Sequence, residues 1–308
     1  MEGFKQVPTM PTPESARIFF EASAKKGRAY VSCIEKLIRK DSHLETDELA
    51  ETDLDDFMKA GSEFFKIQSE RYRQGGGTPE ILFKQLFQDG VLPPEFTDQS
   101  KYELSEPTEG VFILKTDIHL LEKVRSGATA VAVKIKDGIS FVLVPVTGEA
   151  SVDENLGREN ILHEVHHLFW KGAMDNNLLA RGENDHDLQA SFSMYQDELV
   201  ARMSSGGALF GYSHLSMLNP ETQEAFKKEN PEKFKQIIDT VSGLNDFCRE
   251  LSEEMTIRNI EGEGLIGLII DAKSFSDLKA SMQKFKDFVI TQPITNPRKQ
   301  SVTGWDFI

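Results

Sequence analysis

Residues 161–170 read Ile161-Leu162-His163-Glu164-Val165-His166-His167-Leu168-Phe169-Trp170. The run holds no proline, and Glu164 is its one formally charged residue. Such a run predicts a helix, and Gly172, just past Lys171, predicts its C-terminal stop. On a helix, residues four apart lie one turn apart on a single face, so His163 and His167 can share one ion. Neutral imidazoles suit Zn²⁺, and Glu164, one residue round the helix, can reach a water on that ion and take its proton. An ionised carboxylate on an otherwise core-like helix is costly unless it has such a task. His163 and His166 are also helical neighbours, but that pair leaves Glu164 without a comparable role. His166 is then expected to be buried, or to support the ligands from behind.

A catalytic zinc takes three protein ligands and keeps the fourth position for water. A His six residues after His167, with a Gly before it, would mark the metzincin arrangement; Trp170 and Ala173 stand at those places. The third ligand must be a carboxylate or a distant histidine. The best candidate lies in Asp187 to Arg202, DLQASFSMYQDELVAR, where Asp187 is the expected cap and Leu188, Phe192, Tyr195 and Leu199 form a helical stripe. At about 100° per residue, Asp197 falls opposite that stripe while Glu198 falls at its edge. Glu198 is therefore the expected third ligand. Its competing use is a boundary salt bridge with Arg202 at i+4.

HExxH followed some thirty residues later by an acidic residue on a second helix resembles the gluzincin branch of zinc metallopeptidases. The resemblance covers Ile161 to Trp170 and the segment Glu198 to Arg202; Arg202 stands where thermolysin-like members carry an Asp. It implies Zn²⁺ held by His163, His167 and Glu198, Glu164 as general base, and a peptide or protein substrate. It also implies an α+β, zincin-like domain with a small antiparallel sheet before the active-site helix. In that arrangement an edge strand aligns an extended peptide, a role the strand Ile139 to Val146 would fill. A Tyr or His donor opposite the base would steady the oxyanion, and Tyr195, Tyr212 and His214 are the candidates. His186 reads as a cap neighbour, and His43 and His119 as structural or exposed.

The whole chain allows such an enzyme. Its 308 residues, 39% hydrophobic and 28% charged, have ordinary globular composition. A charge of -15, from 50 acidic against 35 basic residues, argues against a nucleic-acid partner. The Lys227, Lys228, Lys233, Lys235 group reads as a solvated helix face. Cys33 and Cys248, far apart, indicate neither a disulfide framework nor a thiolate zinc site. No leader pattern opens the chain and no run approaches the roughly 18 apolar residues of a membrane span, so cytoplasmic residence is the default expectation, with signal-independent export equally compatible.

Thr12-Pro13 predicts the start of a helix towards Lys40, Glu48 to Arg73 a second, and Thr78-Pro79 a third. Val111 to Lys115, Ala128 to Lys136 and Ile139 to Val146 read as strands, the last two joined through Asp137-Gly138 as a hairpin. Helices then resume at Asn219-Pro220, Asn230-Pro231 and Ser276-Asp277. A boundary within residues 90–108 divides a helical N-terminal region, 1–104, from the zincin-like region, 105–308; the former can cover or inhibit the cleft. Two other functions fit the sequence: a binding or regulatory protein that keeps the HExxH helix as structure, and a zinc hydrolase of a non-peptide amide or ester.

Overall fold

The structure is a computed structural model. It describes residues 12–23, 61, 74, 76, 79–88, 92–97, 102–108, 111–124, 130–134, 140–146, 150–175, 178–179, 185–205, 209–260 and 262–295. Apart from residue 61, the expected helix over 48–73 lies outside these residues, as do the Asp137-Gly138 turn and the first helix beyond residue 23. The described residues are mostly helical with one small mixed sheet, an α+β arrangement. No helix among them is long and apolar enough to cross a membrane. The chain divides into two compact units.

The first unit holds the described residues of Met1–Phe19 and Glu51–Leu179. Helix α1 (residues 13–23) starts at a reciprocal cap: Ser15 N donates to Thr12 Oγ1 and Thr12 N donates to Ser15 Oγ. Helix α2 (Pro79–Gln88) leads through a short turn to β1 (Tyr102–Thr108), β2 (Val111–Asp117), α3 (Ile118–Val124), β3 (Val131–Lys134) and β4 (Ser140–Val146). The sheet order is β1-β2-β4-β3, with β2 and β4 parallel and the outer pairs antiparallel.

The expected strand at Ile139 to Val146 is present, but it is not an edge and the sheet is not purely antiparallel. Phe141 to Val144 are all buried, as are Val111 to Leu114 in β2. An unbroken apolar run buries both faces of a strand, which places it inside a sheet; an edge strand reads differently. Here the edges are β3 and β1, and β1 carries Glu103, Glu106 and Pro107, residues that blunt further pairing. The antiparallel pairing expected of that hairpin is present, with Val133 opposite Phe141 and Lys134 opposite Ser140.

One face of the sheet packs Phe112, Leu114, Phe141 and Leu143 against Leu86 of α2 and Leu120 and Leu121 of α3. Phe112 and Phe141, opposite each other in the parallel pair, stack at 5.2 Å. Helix α4 (Ala150–Asp175) packs against β4 and β3. Its 26 residues span about 39 Å. It buries Ile161, Val165, Leu168, Phe169 and Ala173, a stripe at helical spacing. That stripe carries the helix through Gly172 to Asp175, past the expected stop, because burial outweighs one glycine's low propensity.

The second unit holds the described residues of Phe20–Ala50 and Ala180–Ile308. It contains α5 (His186–Ser205), α6 (Pro220–Glu229), α7 (Pro231–Arg258), α8 (Glu263–Asp271) and α9 (Phe275–Ile290). Asn219 caps α6 through Thr222 N, as its Asn-Pro pair predicts, and Pro231 opens α7. Ser274, two residues before the expected start, caps α9 by accepting from Asp277 N. Likewise Asp185, not Asp187, caps α5, accepting from the backbone N–H of Asp187 and Leu188.

Helix α5 is wrapped by its neighbours. Gln196 donates to Ile269 O and Ala272 O, satisfying carbonyls left over at the end of α8. Tyr195 donates to Asn245 Oδ1 at 2.9 Å, and Asn245 also holds Gly211 by accepting from its N–H and donating to its carbonyl. Gly211 lies flat on the Tyr195 ring, where an added Cβ would stand 2.6 Å from Cδ2. Replacing Gly211 by Ala is expected to cost about 1–3 kcal/mol by overpacking, read as a lower urea midpoint with unchanged slope.

Candidate metal centre

Helix α4 sets the geometry of its motif. His163 and His167 project one turn apart, both half-buried, with ring planes at 87° and Nε2 atoms 3.1 Å apart. Two facing imidazole nitrogens at this distance can share one proton or one ion. For a tetrahedral metal with bonds of about 2.0–2.1 Å, the two nitrogens would sit about 3.3 Å apart, close to the separation seen. Glu164 follows directly and is half-buried, flanked by the buried Val165 and Leu168.

His166 belongs to the core. Its Nδ1 bonds the Leu162 carbonyl at 2.7 Å, and its ring stacks on Phe19 at 6.4 Å. Burial pushes its pKa down to about 3, so it stays neutral with the Nδ1 proton committed to the backbone. His166→Ala is expected to leave metal stoichiometry intact while lowering stability by on the order of 2 kcal/mol or more; metal content and a denaturation midpoint on the same sample read both.

Glu198 lies in the second unit, on α5, with its side chain 9% exposed. Arg202 Nε stands 2.7 Å from Glu198 Oε1, the i+4 pair that the sequence offers as the competing use of this carboxylate. Asp197 is also buried, contrary to its expected outward position. The stretch from Tyr195 to Ala201 is buried all round, so a single apolar stripe does not describe this half of α5.

The three oxyanion candidates differ in availability. Tyr195 is buried, its hydroxyl bonded to Asn245 and its pKa raised by burial. Tyr212 is exposed and meets Phe210 edge to face at 5.1 Å. His214, in the turn His214–Met217, bonds Ser191 Oγ through Nδ1 at 2.6 Å, and burial lowers its pKa against the opposing pull of Asp187. His186 is exposed at the first position of α5 and His119 is exposed on α3, as expected; His43 lies outside the described residues.

Two groupings have no counterpart in the sequence reading. Lys233 of α7 reaches both Asp185 Oδ2 and Asp187 Oδ2, tying the start of α5 to α7. The Arg202 guanidinium lies 3.5 Å over the Phe210 ring. Spacing along one helix reveals neither, because each joins residues brought together by the fold. Comparison with protein-family models, curated proteins and solved structures finds no match to this chain.

Proposed function

We propose that the protein is a zinc-dependent hydrolase of the zincin type that cleaves peptide bonds, with His163, His167 and Glu198 as ligands and Glu164 as general base. The observation that carries this reading is the pair of half-buried imidazole nitrogens 3.1 Å apart on one helix, with a carboxylate as the next residue. His163 and His167 each offer a ring nitrogen from α4, and Glu198 of α5 would supply the carboxylate oxygen. Two neutral nitrogens and one carboxylate suit Zn²⁺ and leave a coordination position open, the donor set of a catalytic site.

Zinc bound there would supply a Lewis acid and an acidified water. Glu164 takes the proton of the attacking water and returns it to the leaving amine, one group serving both transfers. Tyr212 or His214 remains as donor to the developing oxyanion, since the Tyr195 hydroxyl is committed to Asn245. We place the enzyme in the cytoplasm, acting on peptides or proteins and not on nucleic acid.

The Glu198–Arg202 ion pair favours one second reading, in which Glu198 is structural and the motif helix serves a binding protein without metal. Metal analysis of protein purified without chelator, paired with a peptide-library digest, separates the two. One equivalent of zinc and cleavage that a chelator abolishes support the hydrolase; zinc-free, inert protein supports the alternative.

A further inference from the structure

We propose that Arg202 is a positioning residue, which holds the Glu198 carboxylate for the metal and is itself held by an aromatic platform of Phe210 and Tyr212. This inference rests on Glu198 being the third zinc ligand.

Both partners of the pair are largely buried, with side chains 20% and 9% exposed for Arg202 and Glu198. Although Nε and Oε1 are 2.7 Å apart, the N–H is not aimed at the oxygen, so charge and not an aligned hydrogen bond joins them. Something other than that bond must orient the guanidinium. Its Cζ lies 3.5 Å from the centre of the Phe210 ring and 5.7 Å from that of Tyr212, and the two rings brace each other edge to face. A planar guanidinium stacked on an aromatic face keeps its orientation in a way a lysine ammonium does not. The platform is anchored in turn: Asn245 on α7 grips Gly211, between the two rings, through both backbone groups. A continuous line of contacts thus runs from α7 through Gly211 and Phe210 to Arg202 and Glu198.

Two effects of Arg202 on a metal oppose each other. Its positive charge repels a divalent cation and would weaken binding. Against this, a glutamate side chain has several rotors to freeze on ligation, and a carboxylate already drawn to a buried Arg202 by charge has fewer of them left to freeze. The aromatic faces of Phe210 and Tyr212 hold the guanidinium in place without adding charge to the site. Preorganisation therefore wins, and removing Arg202 weakens zinc binding.

Zinc affinity of the full chain, measured by competition with a chromogenic chelator, tests this. Arg202→Gln is expected to weaken zinc roughly 10- to 100-fold, the range for residues that orient metal ligands, and Phe210→Ala to weaken it in the same direction while leaving every charge in place. Arg202→Lys should recover only part, because it restores charge without the planar stack. In a Glu198→Gln background, Arg202→Gln should add nothing further. Cobalt substituted for zinc should show an altered visible spectrum in Phe210→Ala with unchanged circular dichroism. Unchanged or tighter zinc in Arg202→Gln, or full recovery by Arg202→Lys, overturns the proposal. Should Arg202→Gln not fold, Phe210→Leu, apolar but without a ring, decides by the same criterion. If Glu198→Gln leaves zinc affinity unchanged, the ligand assignment falls and this inference with it. If Glu198→Gln weakens zinc and Arg202→Gln does not, the inference falls alone.

Discussion

Glu164→Gln is expected to keep the fold and the bound zinc and to slow peptide hydrolysis by at least about 10²- to 10⁴-fold, the usual worth of one general acid–base step. The loss can exceed that range, because the same carboxylate serves both the attack and the protonation of the leaving amine. Glutamine matches glutamate in shape and volume, so the packing of α4 beside Val165 and Leu168 has no reason to change. The amide oxygen still accepts a hydrogen bond, but it does not take a proton at neutral pH. Turnover of a peptide found by library digestion, measured on samples of matched zinc content, checks this. Near wild-type turnover in Glu164→Gln would show that the base is another group and that the motif glutamate is structural.

What the sequence makes legible here is what a single element decides. The i, i+4 spacing of His163 and His167 fixes their shared face on any helix, and the structure has them facing each other at 3.1 Å. The Asn-Pro start of α6 and the Thr12 cap of α1 are local chemistry and are found where expected. Errors appear where burial by distant segments overrides the local signal. Gly172 stops nothing because α4 continues on a buried stripe. Asp197 is buried although it faces away from the apolar stripe of α5, because this part of the helix is covered on every side. Lys233, grouped by sequence with a solvated lysine face, instead binds Asp185 and Asp187.

The sheet shows a different kind of limit. The run Phe141 to Val144 announces burial on both faces, which argues for an interior strand whatever the resemblance implies about edges. Its parallel partnership with β2 depends on α3 and β3 intervening in the chain, and no local pattern states that. Cap positions slip by two residues, to Asp185 and Ser274, because Asp and Ser recur within each start and only side-chain geometry chooses between them.

Removing either imidazole of the pair is expected to abolish stoichiometric zinc: His163→Ala and His167→Ala should each purify with far less than one equivalent. A site of two nitrogens and one carboxylate has no spare donor, and His166 does not replace either residue, since its proton is committed to Leu162 O and its ring is packed under Phe19. The carboxylate is the finer question, because Asp197 and Glu198 are adjacent and both buried. Successive residues on a helix point about 100° apart, so the two do not serve the same ion interchangeably. Glu198→Ala should weaken zinc at fixed pH while Asp197→Ala leaves affinity unchanged. It should also leave Arg202 buried without its counter-charge, so a fall in stability is expected to accompany the loss of metal. The reverse order of the two variants would move the ligand to Asp197 and leave Glu198 as the ion-pair partner of Arg202 alone. Full zinc occupancy in His163→Ala would remove the metal centre from this helix altogether.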